Sequence, residues 1–191
     1  MIDLTNNKII LASKSPRRRE LLEGLGIKFE LRTKDTDESF SDSLNPEEVA
    51  GFLSEKKAKA FSGELKRGEL VIASDTIVVL DREILGKPLD HNEAIQMLQK
   101  LSGKMHQVYT AYTLMDEYKI QTITDMTKVF FKDLSNEEIE YYITHYQPFD
   151  KAGAYGIQEW IGFTAVEKIE GSYFTVMGLP VHLVYDSLKN W

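Results

Sequence analysis

The sequence contains no cysteine. That absence excludes a disulfide scaffold, a thiolate zinc site and a cysteine nucleophile, and it fits a reducing compartment. No run approaches 18 uninterrupted apolar residues, so no membrane-spanning helix is expected. There is no excess of basic charge either. Lys+Arg is 23 against 30 Asp+Glu, a net charge of −7 over 191 residues. Nonspecific binding to a nucleic acid polymer is therefore disfavoured, because it rests on neutralising phosphates. The four histidines (His91, His106, His145, His182) lack metal-ligand spacing. Neither GxxxxGK[ST] nor GxGxxG occurs, so the standard P-loop and dinucleotide readings fail. No repeat, low-complexity tract or long linker divides the chain, and Met1–Lys8 lacks the basic-then-apolar layout of a leader peptide. Hydrophobic residues at 42% and charged residues at 28% are ordinary globular usage. The expectation is one cytoplasmic domain over residues 1–191.

The pattern of elements is mixed. Lys8–Ala12 reads as a short buried strand, and Ile27–Arg32 as another. Between them Ser15 suits an N-cap and Pro16 the first helical position, with Gly24 and Gly26 as the stop. Thr33–Leu44 is polar and acidic, a surface loop. Asn45-Pro46 with Glu48 opens a helix to about Phe61. Leu70–Ala73 and Ile77–Leu80 read as strand, interrupted by Ser74-Asp75-Thr76. A hairpin turns at Asp81-Arg82. Asp90 caps a helix to Leu101, and Ser135 with Glu138 forms a capping box for a helix to about Tyr146. Gln107–Met115 and Ile120–Phe131 alternate like long antiparallel strands. Lys151–Gln158 is a Gly/Ala-rich loop, Trp160–Glu167 and Tyr173–Met177 read as strands, and Pro180 opens a last helix. Helices mixed with hairpins predict an α/β domain with a mixed sheet and flanking helices. Polar residues at strand ends suggest two lobes around a central cleft.

Five places carry chemistry. The first is Ser13-Lys14-Ser15-Pro16-Arg17-Arg18-Arg19. Helix N-termini attract anions, and Arg can grip phosphate in a bidentate fashion. The plain alternative is a solvated basic turn, but arginines in a first turn oppose the helix dipole, so a negative partner should compensate. The second is Asp75-Thr76, polar residues set in an apolar strand, where α/β proteins place working groups; a turn carboxylate is the ordinary alternative. The third is Lys56-Lys57. Both lie within roughly 60° of the apolar stripe of Val49, Leu53 and Ala60, so each must snorkel or pair with an anion. The fourth is Lys87 in Gly86-Lys87-Pro88, a phosphate clamp or a surface lysine. Asp37-Glu38 are usually solvated in such loops, but with Asp75 they could hold Mg²⁺ or Mn²⁺. The fifth is Lys151–Gln158. Its small residues admit a planar ligand, and the Gln158 amide matches a pyrimidine edge; otherwise it is a tight connecting loop. Tyr109, Tyr141, Tyr142 and Trp160 read as core or strand residues.

Seven blocks in order then acquire a common meaning: LASKSPRRRELL (11–22), EKKAKA (55–60), SDTIV (74–78), GKP (86–88), MLQKLSGKMHQVYT (97–110), DKAGAYGIQ (150–158) and GLP (178–180). Together they resemble the Maf (septum-formation inhibitor) family of nucleoside triphosphate pyrophosphatases. Asp75-Thr76 with the AYGIQ loop is similar to its dTTP/UTP-hydrolysing branch. The resemblance implies a two-lobed α/β fold, often as a homodimer, and hydrolysis of a nucleoside triphosphate to monophosphate and diphosphate with Mg²⁺ or Mn²⁺. It implies Asp75 as proton acceptor, and Arg17, Thr76 and Gln158 as specificity positions. Ser13, Ser15, Arg18, Lys57 and Lys87 would complete the phosphate site, and Glu38 with Asp75 would hold the metal. Ala73-Ser74 stands where the family often has Gly-Ala, and Glu159-Trp160-Ile161 is bulkier than the family version. The first is a small-for-small change, and the second bears on base preference rather than on the reaction. A nucleotide-binding regulator of septum formation, without essential turnover, needs the same cradle and is the competing reading.

Overall fold

The computed structural model describes residues 7–191; residues 1–6, which make up most of the segment read as lacking a leader, lie outside the described residues. Seven strands form one mixed sheet. They are β1 (Lys8–Leu11), β2 (Phe29–Leu31), β3 (Glu69–Leu80), β4 (Glu83–Leu85), β5 (Met105–Met115), β6 (Ile120–Phe131) and β7 (Val166–Glu170). The order is β2-β1-β3-β5-β6-β7, with β4 also paired to β3. β1 pairs in parallel with β2 and β3, whereas β3–β4 and β6–β7 are antiparallel. The helices are α1 (Pro16–Gly24), α2 (Pro46–Lys59), α3 (His91–Leu101), α4 (Asn136–Tyr146), α5 (Trp160–Ala165), α6 (Tyr173–Met177) and α7 (Val181–Lys189). No described helix is long and apolar enough to cross a membrane.

Local chemistry explains most boundaries. The Ser15 side chain caps α1 by accepting from Arg18 N, with Pro16 following it. Glu48 Oε2 reaches back to Asn45 N at 3.0 Å and to Asn45 Nδ2 at 2.9 Å, which fixes the start of α2. Ser135 and Glu138 form the capping box of α4. Asp81 and Arg82 both have positive φ (49° and 72°), the conformation a two-residue hairpin with right-handed twist requires.

Three expectations are corrected. Ser74-Asp75-Thr76 does not interrupt a strand, because β3 runs unbroken through it. The polar side chains find partners, and the backbone ladder is indifferent to them. Trp160–Glu167 is not a strand: α5 occupies Trp160–Ala165 and β7 begins at Val166. Its buried residues, Ile161 and Ala165, are spaced four apart, a helical repeat that a short apolar run conceals. Tyr173–Met177 is not a strand either but the short helix α6, although its buried residues, Thr175 and Met177, are spaced two apart as in a strand.

The chain forms two units. The first comprises Met1–Asp75, Thr110–Asp125 and Gly178–Trp191, and the second Thr76–Tyr109 and Met126–Met177. In the first, Ile10, Val71 and Ala73 of the sheet pack with Ala58, Phe61 and Met115. A buried hydroxyl chain runs beside them: Ser54 to Thr113 at 2.9 Å, and Thr113 to Thr122 at 2.9 Å. In the second, α3 packs on α4, and His106, Phe131 and Tyr155 meet edge to face.

Glu69 at the head of β3 is a strongly paired carboxylate almost wholly out of water, 6% exposed. Arg32 donates to both its oxygens, at 3.0 and 3.3 Å, and Lys66 N donates at 3.1 Å. Those bonds, Arg32 foremost, pull its pKa from 4.5 to about 2. A depressed carboxylate stabilises above its unfolded pKa and loses that contribution as pH falls through its folded pKa. Glu69→Gln should therefore cost about 1–2 kcal/mol at pH 7. The melting-temperature gap to the parent, followed by thermal unfolding, should close between about pH 4.5 and 2. A gap independent of pH would contradict this.

Candidate active site

Open α/β sheets bind ligands beyond the carboxyl ends of their parallel strands. In the first unit three segments meet that description. β1 leads through Ser13 into the cap of α1, β2 leads into the acidic loop 33–44, and β3 carries Asp75 just past Ile72, the partner of Leu11.

Lys57 of α2 joins two of these segments. Its Nζ donates to Asp75 Oδ1 at 2.5 Å and pairs with Glu38 Oε1 at 2.7 Å. Lys57 and Asp75 are only 16% and 13% exposed, whereas Glu38 is 49% exposed. A lysine beside an apolar stripe had two options, and Lys57 takes the anion. Lys56, one residue earlier, reaches the outer loop instead, donating to Asp37 at 3.0 Å and to Ser39 O at 3.1 Å. Lys14 adds a pair with Asp35 at 2.6 Å, and Lys34 binds Ala60 O at 2.8 Å. The acidic loop is thus tied down by four lysines. Hydrogen bonds from Ser39, and then Lys56, hold the Asp37 carboxyl well below the usual carboxylate range.

The three arginines of α1 divide their work. Arg18 donates from Nε to Gly178 O and from Nη1 to Ser74 O, both at 2.8 Å. Ser74 Oγ donates to the same Gly178 carbonyl at 3.1 Å. Burial lowers the Arg18 pKa, Asp75 opposes that shift, and neighbouring Arg17 reinforces it. Arg18 is therefore a backbone anchor as well as a half-buried positive charge near Asp75. Arg19 forms an exposed pair with Glu23 at 2.8 Å, and Arg17 is half-buried. Ser13 Oγ accepts from Ser15 N at 3.1 Å, so both predicted phosphate hydroxyls also shape the strand-to-helix junction.

The other predicted site residues, Thr76, Lys87 and Gln158, belong to the second unit. There the GKP and AGAYGIQ segments are joined, because Gly153 N donates to Gly86 O at 3.0 Å. Lys87, next in the chain, is exposed. Gly153 has φ +68°, and a Cβ there would lie 3.0 Å from both Val78 methyl carbons, so only glycine fits. Gln158 sits in a turn closed by Glu159 N and Gly156 O at 3.0 Å. Its Oε1 is buried and has no hydrogen-bond partner among the described residues. His106 shares a 2.7 Å hydrogen bond with Tyr155 Oη, and burial pulls the imidazole down to about 3, leaving it neutral near pH 7.

The donor set suits a divalent cation of the Mg²⁺ type. Glu38 and Asp75 converge on one cationic atom, Lys57 Nζ. No group of three or more potential metal-ligating side chains exists among the described residues. Two carboxylates completed by water and phosphate oxygens is how Mg²⁺ is commonly held, rather than in an all-protein cage.

Sequence reasoning missed the carbonyl of Gly178 and the hydroxyl of Ser74 as anchors of Arg18. A backbone acceptor leaves no composition signal; the GLP block was its only trace. Tyr142, read as core or strand, is indeed core, a fully buried residue of α4; what the sequence hid is that its hydroxyl accepts from Gly156 N and donates to Glu159.

The chain is 51% identical over 188 residues to a dTTP/UTP pyrophosphatase of Phocaeicola vulgatus, covering 98% of this chain and 97% of that protein. It is 50% identical over 185 residues to a dTTP/UTP pyrophosphatase of Flavobacterium johnsoniae, covering 97% and 95%. Among solved structures it is similar to the Staphylococcus aureus Ham1 protein, with a TM-score of 0.50, 13% identity, and coverage of 66% of this chain and 73% of that one. That last likeness concerns the fold alone. The family model described as Maf-like protein matches residues 8–191, and with relatives at this identity over almost its whole length the chain belongs to the Maf family.

Proposed function

We propose that this protein is a nucleoside triphosphate pyrophosphatase that hydrolyses dTTP and UTP to the monophosphate and diphosphate. The observation that carries the reading is Lys57 held between Glu38 and Asp75 beyond parallel strands, in a chain about half identical to relatives named for that activity. Water attacks the α-phosphorus, the bond to the α–β bridging oxygen breaks, and diphosphate leaves with the electron pair. The water's proton passes to the Asp75 carboxylate. Negative charge grows on the phosphoryl and bridging oxygens, and fixed cations there supply the largest catalytic contribution.

Lys57 is already oriented by its two carboxylates. A triphosphate arriving at Nζ competes for that ammonium and releases Asp75 toward the water. Arg18, held by Ser74 and Gly178, contributes charge without reorganising. Ser13, Ser15 and Lys87 are assigned to the phosphates by family resemblance, and Arg17 and Thr76 to specificity. Glu38 and Asp75 would hold Mg²⁺ or Mn²⁺, which when bound neutralises phosphate charge. Gln158 is assigned to the base. Its unpartnered Oε1 suits the N3–H of uracil or thymine, a donor flanked by two carbonyls. A methyl group is worth only about 1–3 kcal/mol in an apolar pocket, so both dTTP and UTP should be accepted. The reading places the protein in the cytoplasm, acting on free nucleotides.

Asp75→Asn should leave the thermal unfolding transition in place and lower diphosphate release from UTP by at least about a hundredfold. Parent-like turnover would remove Asp75 from the reaction. A panel of nucleoside triphosphates, with and without Mg²⁺ or Mn²⁺, should rank dTTP and UTP above GTP and ATP. Binding without diphosphate release would favour the regulator reading instead. Gln158→Ala should lower the UTP-to-GTP ratio of kcat/KM about tenfold, as loss of a base-reading hydrogen bond does.

A further inference from the structure

We propose that Tyr142 is a positioning residue that sets Gln158 for base recognition, by clamping both ends of the turn that carries it. This rests on the reading of Gln158 as the base-contacting residue.

Gln158 occupies the second central position of the turn Gly156–Glu159, and one phenol oxygen holds the two corners of that turn. Gly156 N donates to Tyr142 Oη at 3.0 Å, and Tyr142 Oη donates in turn to Glu159 Oε2. Tyr142 is fully buried and its ring stacks on Tyr146, with centroids 5.2 Å apart, so the hydroxyl is carried on a fixed ring. Glu159 is fixed from its other side by Lys151, a nearly buried lysine 3.2 Å from Oε1 that also pairs with Asp150 at 2.7 Å. A Cβ at Gly156 would lie 2.9 Å from the Glu159 carboxylate carbon and 3.0 Å from Gln158 Nε2, so any larger residue there would push on both side chains. Upstream, the His106–Tyr155 hydrogen bond holds the residue that precedes the turn.

The clamp has a clear physical purpose. An amide that discriminates bases must keep its donor and acceptor within a fraction of an ångström of the base edge, and a small misplacement costs much of the selectivity. A buried charge network of Lys151, Glu159 and Tyr142 is an expensive way to close a four-residue turn. Burial and Glu159 both raise the phenol's pKa, so the hydroxyl keeps its proton at working pH and the clamp does not titrate.

The test measures kcat/KM for UTP and GTP in the full chain for the parent, Gln158→Ala, Tyr142→Phe and the double variant. Tyr142→Phe keeps the ring and removes the hydroxyl. The expected result is a fall of about tenfold in the UTP-to-GTP ratio for each single variant. The double variant should fall no further than Gln158→Ala alone, because both changes disable one device. If Gln158→Ala lowers the ratio but Tyr142→Phe slows both nucleotides equally, Tyr142 is merely structural and the proposal fails while the base-reading role stands. Independent, multiplying losses would overturn it as well. An unchanged ratio in Gln158→Ala would sink the base-reading role and the proposal together. Should Tyr142→Phe fail to fold, Glu159→Ala breaks the other arm of the clamp and the same comparisons apply.

Discussion

The ammonium of Lys57 is the contact that ties the acidic loop to the sheet in the first unit. It stands 2.5 Å from Asp75 and 2.7 Å from Glu38 and so bridges the two carboxylates. Such a trio is not an economical way to stabilise a fold. Taking charges out of water costs several kcal/mol each, and apolar packing would achieve as much. What the trio provides is a carboxylate and a cation placed in advance, with Arg18 a further positive charge near both carboxylates. The chain's net charge of −7 is no obstacle, since local field rather than global charge governs such a site.

Where a helix begins is written in short-range chemistry, and those places were legible: Ser15-Pro16, Asn45-Pro46 with Glu48, Asp90, and Ser135 with Glu138 all act as caps. Asp75 was legible because a carboxylate in an apolar strand needs a reason. Lys57 was legible as a question only, because periodicity put it near the stripe without naming its partner. Glu38 came through family resemblance, since one carboxylate among several in an acidic loop has nothing local to single it out.

Other features left no readable trace. Short apolar runs at Trp160–Glu167 and Tyr173–Met177 satisfy helical and extended patterns alike, and their neighbours in the fold decided between them. Arg18 looked like a phosphate ligand by composition, yet two of its donors end on backbone carbonyls 56 and 160 residues away. Tyr142 looked like filler because its two partners, Gly156 and Glu159, are brought to it by the chain's return. Long-range pairing of this kind is set by topology, which local sequence does not encode.

The lysine tethers of the acidic loop respond unevenly to their surroundings. The pairs Lys14–Asp35 and Lys56–Asp37 lie largely in solvent, where mobile ions weaken attraction over a few ångströms. The Lys57–Asp75 contact is mostly sheltered and feels those ions less. Added electrolyte would therefore slacken the rim of the loop before it disturbed the inner carboxylate, so the segment bearing Glu38 yields sooner than the strand bearing Asp75.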